Sequence, residues 1–207
     1  TGDVVLATSN LGSYDITYTT PGACVASSTL NMVITTNLVA EFSFGTYCAN
    51  ATDPMPNFLT DDANVPFATP GSGGVFTAIP AGLSINAATG EVDLDASTPG
   101  TYTVTNTIPA SGACPQVTYD DDITINAVPD ANITGTTTIC PSDPIPDVTI
   151  NVTVGTGPWT VDYMLDGVAA QENVLAGAVP VVYTFNGGLG VYDITQITDD
   201  LTGCTNT

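Results

Sequence analysis

The side chains of this chain that could do chemistry are five cysteines and twenty-one carboxylates. There is no lysine, arginine or histidine among its 207 residues. That absence removes whole mechanisms. Without His there is no Ser-His-Asp triad and no imidazole base. Without Lys there is no Schiff base and no phosphate-loop lysine, and without Arg no guanidinium clamp. A pair of carboxylates, as glycosidases use, is all that a catalyst could draw on. The chain therefore reads as non-catalytic.

The formal net charge of −21 repels phosphate, and no basic side chain is present to neutralise it. Nucleic acid and anionic membrane surfaces are excluded as partners. No apolar run approaches the roughly 20 residues of a membrane helix, so membrane insertion is not expected. The acids fall into clusters of hard oxygen ligands: Asp120-Asp121-Asp122, Asp61-Asp62 with Asn64, and Asp199-Asp200. Calcium takes six to eight oxygens, and Asp120, Asp121 and Asp122 form the candidate calcium group; the alternative for each cluster is a solvated acidic turn. Zinc is disfavoured without His, and no other cofactor is indicated. Asn50-Ala51-Thr52, Asn132-Ile133-Thr134 and Asn151-Val152-Thr153 fit a glycosylation sequon.

Short runs of Val, Ile, Thr and Tyr, punctuated by Gly, Pro, Asn and Asp, position these groups. Val148, Ile150, Val152 and Val154 alternate with Thr149, Asn151 and Thr153, the period of a half-buried strand. No stretch sustains a helical period; Gly167 to Gly177 alone has some helix-like composition. The fold class is all-β.

The strands recur. Thr1-Gly2-Asp3-Val4-Val5-Leu6 matches Thr89-Gly90-Glu91-Val92-Asp93-Leu94. Gly12-Ser13-Tyr14-Asp15-Ile16-Thr17 matches Gly100-Thr101-Tyr102-Thr103-Val104-Thr105 and Gly190-Val191-Tyr192-Asp193-Ile194-Thr195. A cysteine follows each tyrosine, at Cys24, Cys114 and Cys204, after 10, 12 and 12 residues. One period near 88 to 90 residues organises the chain. Repeat one is a C-terminal part, 1–37; repeat two is complete, 38–126; repeat three, 127–207, lacks its last strand. The chain thus reads as a piece of a longer protein.

Cysteine spacing predicts one bridge per repeat: Cys48 with Cys114 and Cys140 with Cys204, 66 and 64 residues apart. Cys24 is left unpaired, its partner expected in the absent half of repeat one. Reduced buried thiols are the alternative. Each bridge would close a loop worth about 4 kcal/mol by the chain-entropy argument, and bridges imply an oxidising, extracellular location. Some seven strands per repeat with one long-range bridge suggest tandem immunoglobulin-like β-sandwich domains. Tyr14, Tyr102 and Tyr192 are expected in the cores, each hydroxyl bonded to backbone at the sandwich edge, and Trp159 is expected in the core as well. The linkers Thr35-Thr36-Asn37 and Asn126-Ala127-Val128-Pro129 are short, and Pro129 biases Val128 toward an extended conformation. Successive repeats are expected to follow nearly end to end.

Gly74 to Asn86, Thr89-Gly90-Glu91, Pro99-Gly100-Thr101-Tyr102-Thr103-Val104-Thr105, Ile139-Cys140-Pro141 and Gly157-Pro158-Trp159-Thr160-Val161 together resemble repeats of very large Bacteroidetes cell-surface proteins. The resemblance implies Ig-like or PKD-like repeats, export by the type 9 system and a relation to gliding-motility adhesin-like chains. The function expected is a structural and adhesive segment of a long extracellular surface protein or filament. Its partners would be neighbouring repeats or copies of itself, and surface glycans. The alternative is a carbohydrate-binding or spacer module attached to a secreted enzyme.

Overall fold

A computed structural model describes residues 3–5, 9–35, 38–59, 73–112, 114–135 and 138–207. Asp61, Asp62 and Asn64, the linker residues Thr36 and Asn37, and Thr1, Gly2 and Leu6 of the first repeat signature lie outside them. The described residues are all-β, without a helix. None therefore forms a helix long and apolar enough to cross a membrane.

Among its described residues, repeat one holds a hairpin, β1 (Gly12–Thr19) and β2 (Ser27–Ile34), with Tyr14 opposite Met32 and Ile16 opposite Leu30. Repeat two holds β3 (Phe42–Ser43), β4 (Thr46–Cys48), β5 (Asn57–Phe58), β6 (Val75–Ile79), β7 (Ser84–Ile85), β8 (Val92–Asp93), β9 (Gly100–Ile108) and β10 (Val117–Asn126). Its main sheet runs β4-β10-β9-β6; β3-β5 and β7-β8 form separate two-stranded pairs. The pairings within the main sheet are antiparallel except one. The last turn of β10 runs parallel to β4, with Asn126 opposite Cys48. Alternation along β9 sends Tyr102 and Val104 inward, where Ile123 and Ile125 of β10 and Phe76 of β6 meet Phe42 and Val92. Phe42 and Phe76 pack edge to face at 5.5 Å.

Repeat three holds β11 (Asp130–Thr134), β12 (Val148–Val154), β13 (Trp159–Leu165), β14 (Val168–Val174), β15 (Val181–Phe185), β16 (Tyr192–Asp199) and β17 (Thr205–Asn206). Two sheets, β11-β12-β15 and β14-β13-β16-β17, enclose Ile150, Val152, Trp159, Val161, Val174 and Ile197. The alternation expected in β12 holds for Val148, Ile150 and Val152, while Val154 is exposed at the strand's end. The 167–177 stretch is not helical; most of it is β14. Asp166 and Gly167, with φ of 49° and 81°, make a two-residue hairpin turn between β13 and β14.

The predicted pairing of the cysteines does not stand. Cys48 is bonded to Cys204, with Cα atoms 5.6 Å apart, while Cys24, Cys114 and Cys140 are free. Strand length is the reason. Cys48 lies beside Asn126 at one end of β10, and Cys114 precedes Val117 at the other. At roughly 3.3 Å per residue those ends are about 30 Å apart, whereas a bridge needs Cα atoms within about 7 Å. Cys140 lies in the connection between Thr134 and Val148, and Cys204 follows Asp199 near the opposite ends of β11 and β12. The expectation of one bridge inside each repeat is replaced by one bridge joining two repeats.

Candidate functional site: the junction between repeats

Asn126 ends repeat two and Asp130 opens repeat three, so three residues link the sandwiches. Three groups meet around that linker. On the repeat-two side, the Cys48 carbonyl accepts from Ala51 N at 2.9 Å, and Ala49 N donates to the Asn126 carbonyl at 3.0 Å, so the turn after β4 is fixed to the end of β10. On the repeat-three side, Asp130 lies opposite Val154 across β11 and β12, and the turn after Val154 leads into Trp159. Across the gap run the Cys48–Cys204 bond and a hydrogen bond from the Asn50 side-chain amide to the Thr205 carbonyl, 2.9 Å. The Asn50 sequon amide is therefore engaged in the junction.

Asp199 organises the repeat-three face of this junction. Its carboxylate is fully buried. Oδ2 accepts from Thr156 N (2.7 Å), Thr156 Oγ1 (3.0 Å) and Gly157 N (3.1 Å). Oδ1 accepts from Leu201 N (3.1 Å) and Thr202 N (3.2 Å). Its backbone N–H donates to the Cys204 carbonyl at 2.9 Å. One carboxylate thus ties the β12–β13 turn to the β16–β17 turn that carries Cys204. Burial by itself pushes the Asp199 carboxyl upward, but the bonds from Thr156, Gly157 and Thr202 outweigh it and hold it below the usual carboxylate value. Both oxygens are committed to N–H and O–H donors, so Asp199-Asp200 does not form a cation ligand pair. Asp200 accepts from Thr160 Oγ1 at 3.1 Å.

Asp120, Asp121 and Asp122 do not converge either. They are consecutive on β10, so Asp121 faces the side opposite to its two neighbours. Asp121 Oδ2 accepts from Phe44 N at 2.7 Å and Asp122 Oδ1 from Thr103 Oγ1 at 2.8 Å. Among the described residues no group of three acidic or thiol side chains is placed to hold a metal.

The three repeat tyrosines share one interaction. Tyr14, Tyr102 and Tyr192 donate their hydroxyls to the carbonyls of Asn10, Thr98 and Gly188, four residues back, at 2.8, 2.5 and 3.0 Å. Tyr102 is 3% exposed and anchored in its core, but Tyr14 is 37% exposed. The expectation of a core position fails for Tyr14, because among the described residues no second layer covers the β1–β2 hairpin. Trp159 is fully buried as expected, yet its Nε1–H has no hydrogen-bond partner. A Cβ on Gly155 would come within 2.6 Å of that nitrogen, which requires glycine there. In repeat three Tyr163, Tyr183, Phe185 and Tyr192 form a ring cluster. The Tyr183 hydroxyl donates to Glu172 Oε2 at 2.8 Å, a bond that raises its pKa.

These groups bond to backbone or to one another. No family model matches the chain, and neither a curated protein nor a solved structure matches it.

Proposed function

We propose that this chain is a non-catalytic structural and adhesive repeat segment of a long extracellular surface protein or filament. The Cys48–Cys204 bond carries the reading: it fastens the end of repeat two where the chain leaves to the end of repeat three where the chain enters. An enzyme gains little from clamping two sandwiches head to tail, whereas a fibre under tension gains a second covalent link at its weakest point. The three-residue linker, too short and too poor in glycine for a tether, supports the same reading. So does the absence of Lys and Arg, which leaves no cleavage site for proteases that cut after basic residues. A disulfide fits an oxidising compartment and so a place at the cell surface.

Small-angle scattering and electron microscopy of the oxidised protein test the reading. An elongated particle with the repeats in line is expected. A folded-back particle with repeats side by side would refute it.

A further inference from the structure

Three cysteines remain free in a chain whose location is read as oxidising, and their places follow one rule. Cys48 stands opposite Asn126, at the end of β10, and takes the cysteine that follows β16 of the next repeat. Repeat one has the same landmark. Tyr14 pairs with Met32 as Tyr102 pairs with Ile123, so Met32 corresponds to Ile123 and Thr35, three residues on, to Asn126. Cys114 is the counterpart of Cys204, and its Sγ lies 3.3 Å from Thr35 Oγ1. Cys114 therefore sits against repeat one as Cys204 sits against repeat two. What repeat one lacks among the described residues is a strand corresponding to β4, beside the end of β2, to carry the thiol.

Cys140 shows the complementary vacancy in pattern. Thr46-Tyr47-Cys48 followed by Asp53-Pro54-Met55-Pro56 matches Thr138-Ile139-Cys140 followed by Asp143-Pro144-Ile145-Pro146. Cys140 is thus the counterpart of Cys48. It is exposed, and Thr138 to Cys140 form no strand, whereas Thr46 to Cys48 form β4 paired with β10. Cys24, in the β1–β2 turn, is a third counterpart of Cys114 and Cys204, and it too is exposed.

We propose that the disulfides of this protein run from repeat to repeat as a ladder. The early cysteine of each repeat bonds the hairpin cysteine of the next. Cys114 then takes the early cysteine of repeat one, Cys140 the hairpin cysteine of a fourth repeat, and Cys24 the early cysteine of the repeat before repeat one. All three partners belong to residues outside these 207. Each bond forms when a thiol pair gives up two protons and two electrons to a disulfide oxidant, by two thiol–disulfide exchanges. The inference rests on the repeat-array reading and deepens it. The Cys48–Cys204 loop encloses Cys114 and Cys140, so successive loops overlap and every backbone bond lies inside at least one. A single cut, in any linker or loop, leaves the fibre covalently whole.

The test is non-reducing peptide mapping of the native full-length protein, cut at acidic residues because trypsin has no site within these 207 residues. Cys48–Cys204 is expected together with Cys114 joined to a cysteine before Thr1, and Cys140 to one after Thr207. Cys48–Cys204 accompanied by free thiols at Cys114 and Cys140, by a Cys24–Cys114 or Cys114–Cys140 bond, or by bonds between separate copies overturns the ladder and leaves the proposed function standing. Loss of Cys48–Cys204 itself removes the support for both. A second readout uses the 207-residue chain. Thr35→Cys is expected to close on Cys114 and protect it from maleimide, with Cys24 and Cys140 still labelled. Labelling of Cys114 in that variant at the wild-type rate would count against its seat on repeat one.

Discussion

Asn50 and Thr205 are 155 residues apart in the chain, and the Asn50 amide donates to the Thr205 carbonyl within two residues of the Cys48–Cys204 bond. The covalent and the polar contact thus fall on one edge of the junction. Replacing both cysteines with serine leaves that edge with the Asn50 hydrogen bond, which contributes on the order of 1 kcal/mol. Cys48→Ser/Cys204→Ser is expected to broaden the distance distribution between spin labels on repeats two and three, and adding Asn50→Ala to broaden it further. Each core should keep its own melting transition, since neither core cluster contains Asn50 or Cys48. An unchanged distribution in the triple variant would mean that the linker alone sets the geometry.

A protease site placed at Ala127–Pro129 gives a direct test of connectivity. The cut lies between Cys48 and Cys204, so the nicked protein should run as one band without reductant and as two with it. Two bands under both conditions would show that no disulfide joins the two repeats.

Asp199 predicts an acid sensitivity confined to repeat three. Its folded pKa is lowered, so its contribution to stability is complete above the unfolded value, about 3.9, and is lost as pH falls through the folded value. Asp199→Asn should cost about 1–3 kcal/mol near neutral pH by setting an amide N–H₂ against buried N–H donors. The cost should shrink as pH falls below about 4. Trp159 is the single tryptophan of the chain and lies in the repeat-three core, so its fluorescence in denaturant titrations reads this repeat alone. A cost that does not change with pH would show that the ionised carboxylate is not what holds the two turns.

Trp159 separates volume from hydrogen bonding. Because Nε1 has no partner, Trp159→Phe loses packing only, whereas Trp159→Ala should cost about 3–5 kcal/mol. Tyr102→Phe, by contrast, removes a bond to the Thr98 carbonyl and should cost about 1 kcal/mol with little change in buried area. Urea unfolding followed by circular dichroism measures all three. A Trp159→Phe cost equal to that of Trp159→Ala would reveal a polar role for the indole that the geometry does not provide.

What was legible from residue types is the architecture. Period-two alternation, Gly and Pro punctuation and the recurring Gly-x-Tyr signature depend on neighbours along one strand, and the signature returns as the same hydroxyl-to-carbonyl bond at Tyr14, Tyr102 and Tyr192. The Asp166-Gly167 turn was equally local and marks a hairpin where composition alone hinted at a helix. The pairing of the cysteines was not local. Equal spacings of 66 and 64 residues made Cys48–Cys114 and Cys140–Cys204 look like partners, but spacing counts residues and a disulfide measures space. β10, ten residues long, holds Cys48 and Cys114 at opposite ends. In the same way three consecutive acids are adjacent in sequence but alternate across a sheet, so Asp121 parts from Asp120 and Asp122. Sequence alone determined an acidic, all-β repeat chain without the side chains most enzymes use. Only the tertiary structure decided which ends meet, because strand length and the stacking of one sandwich on the next bring Cys204 to Cys48 and leave Cys114 on Thr35.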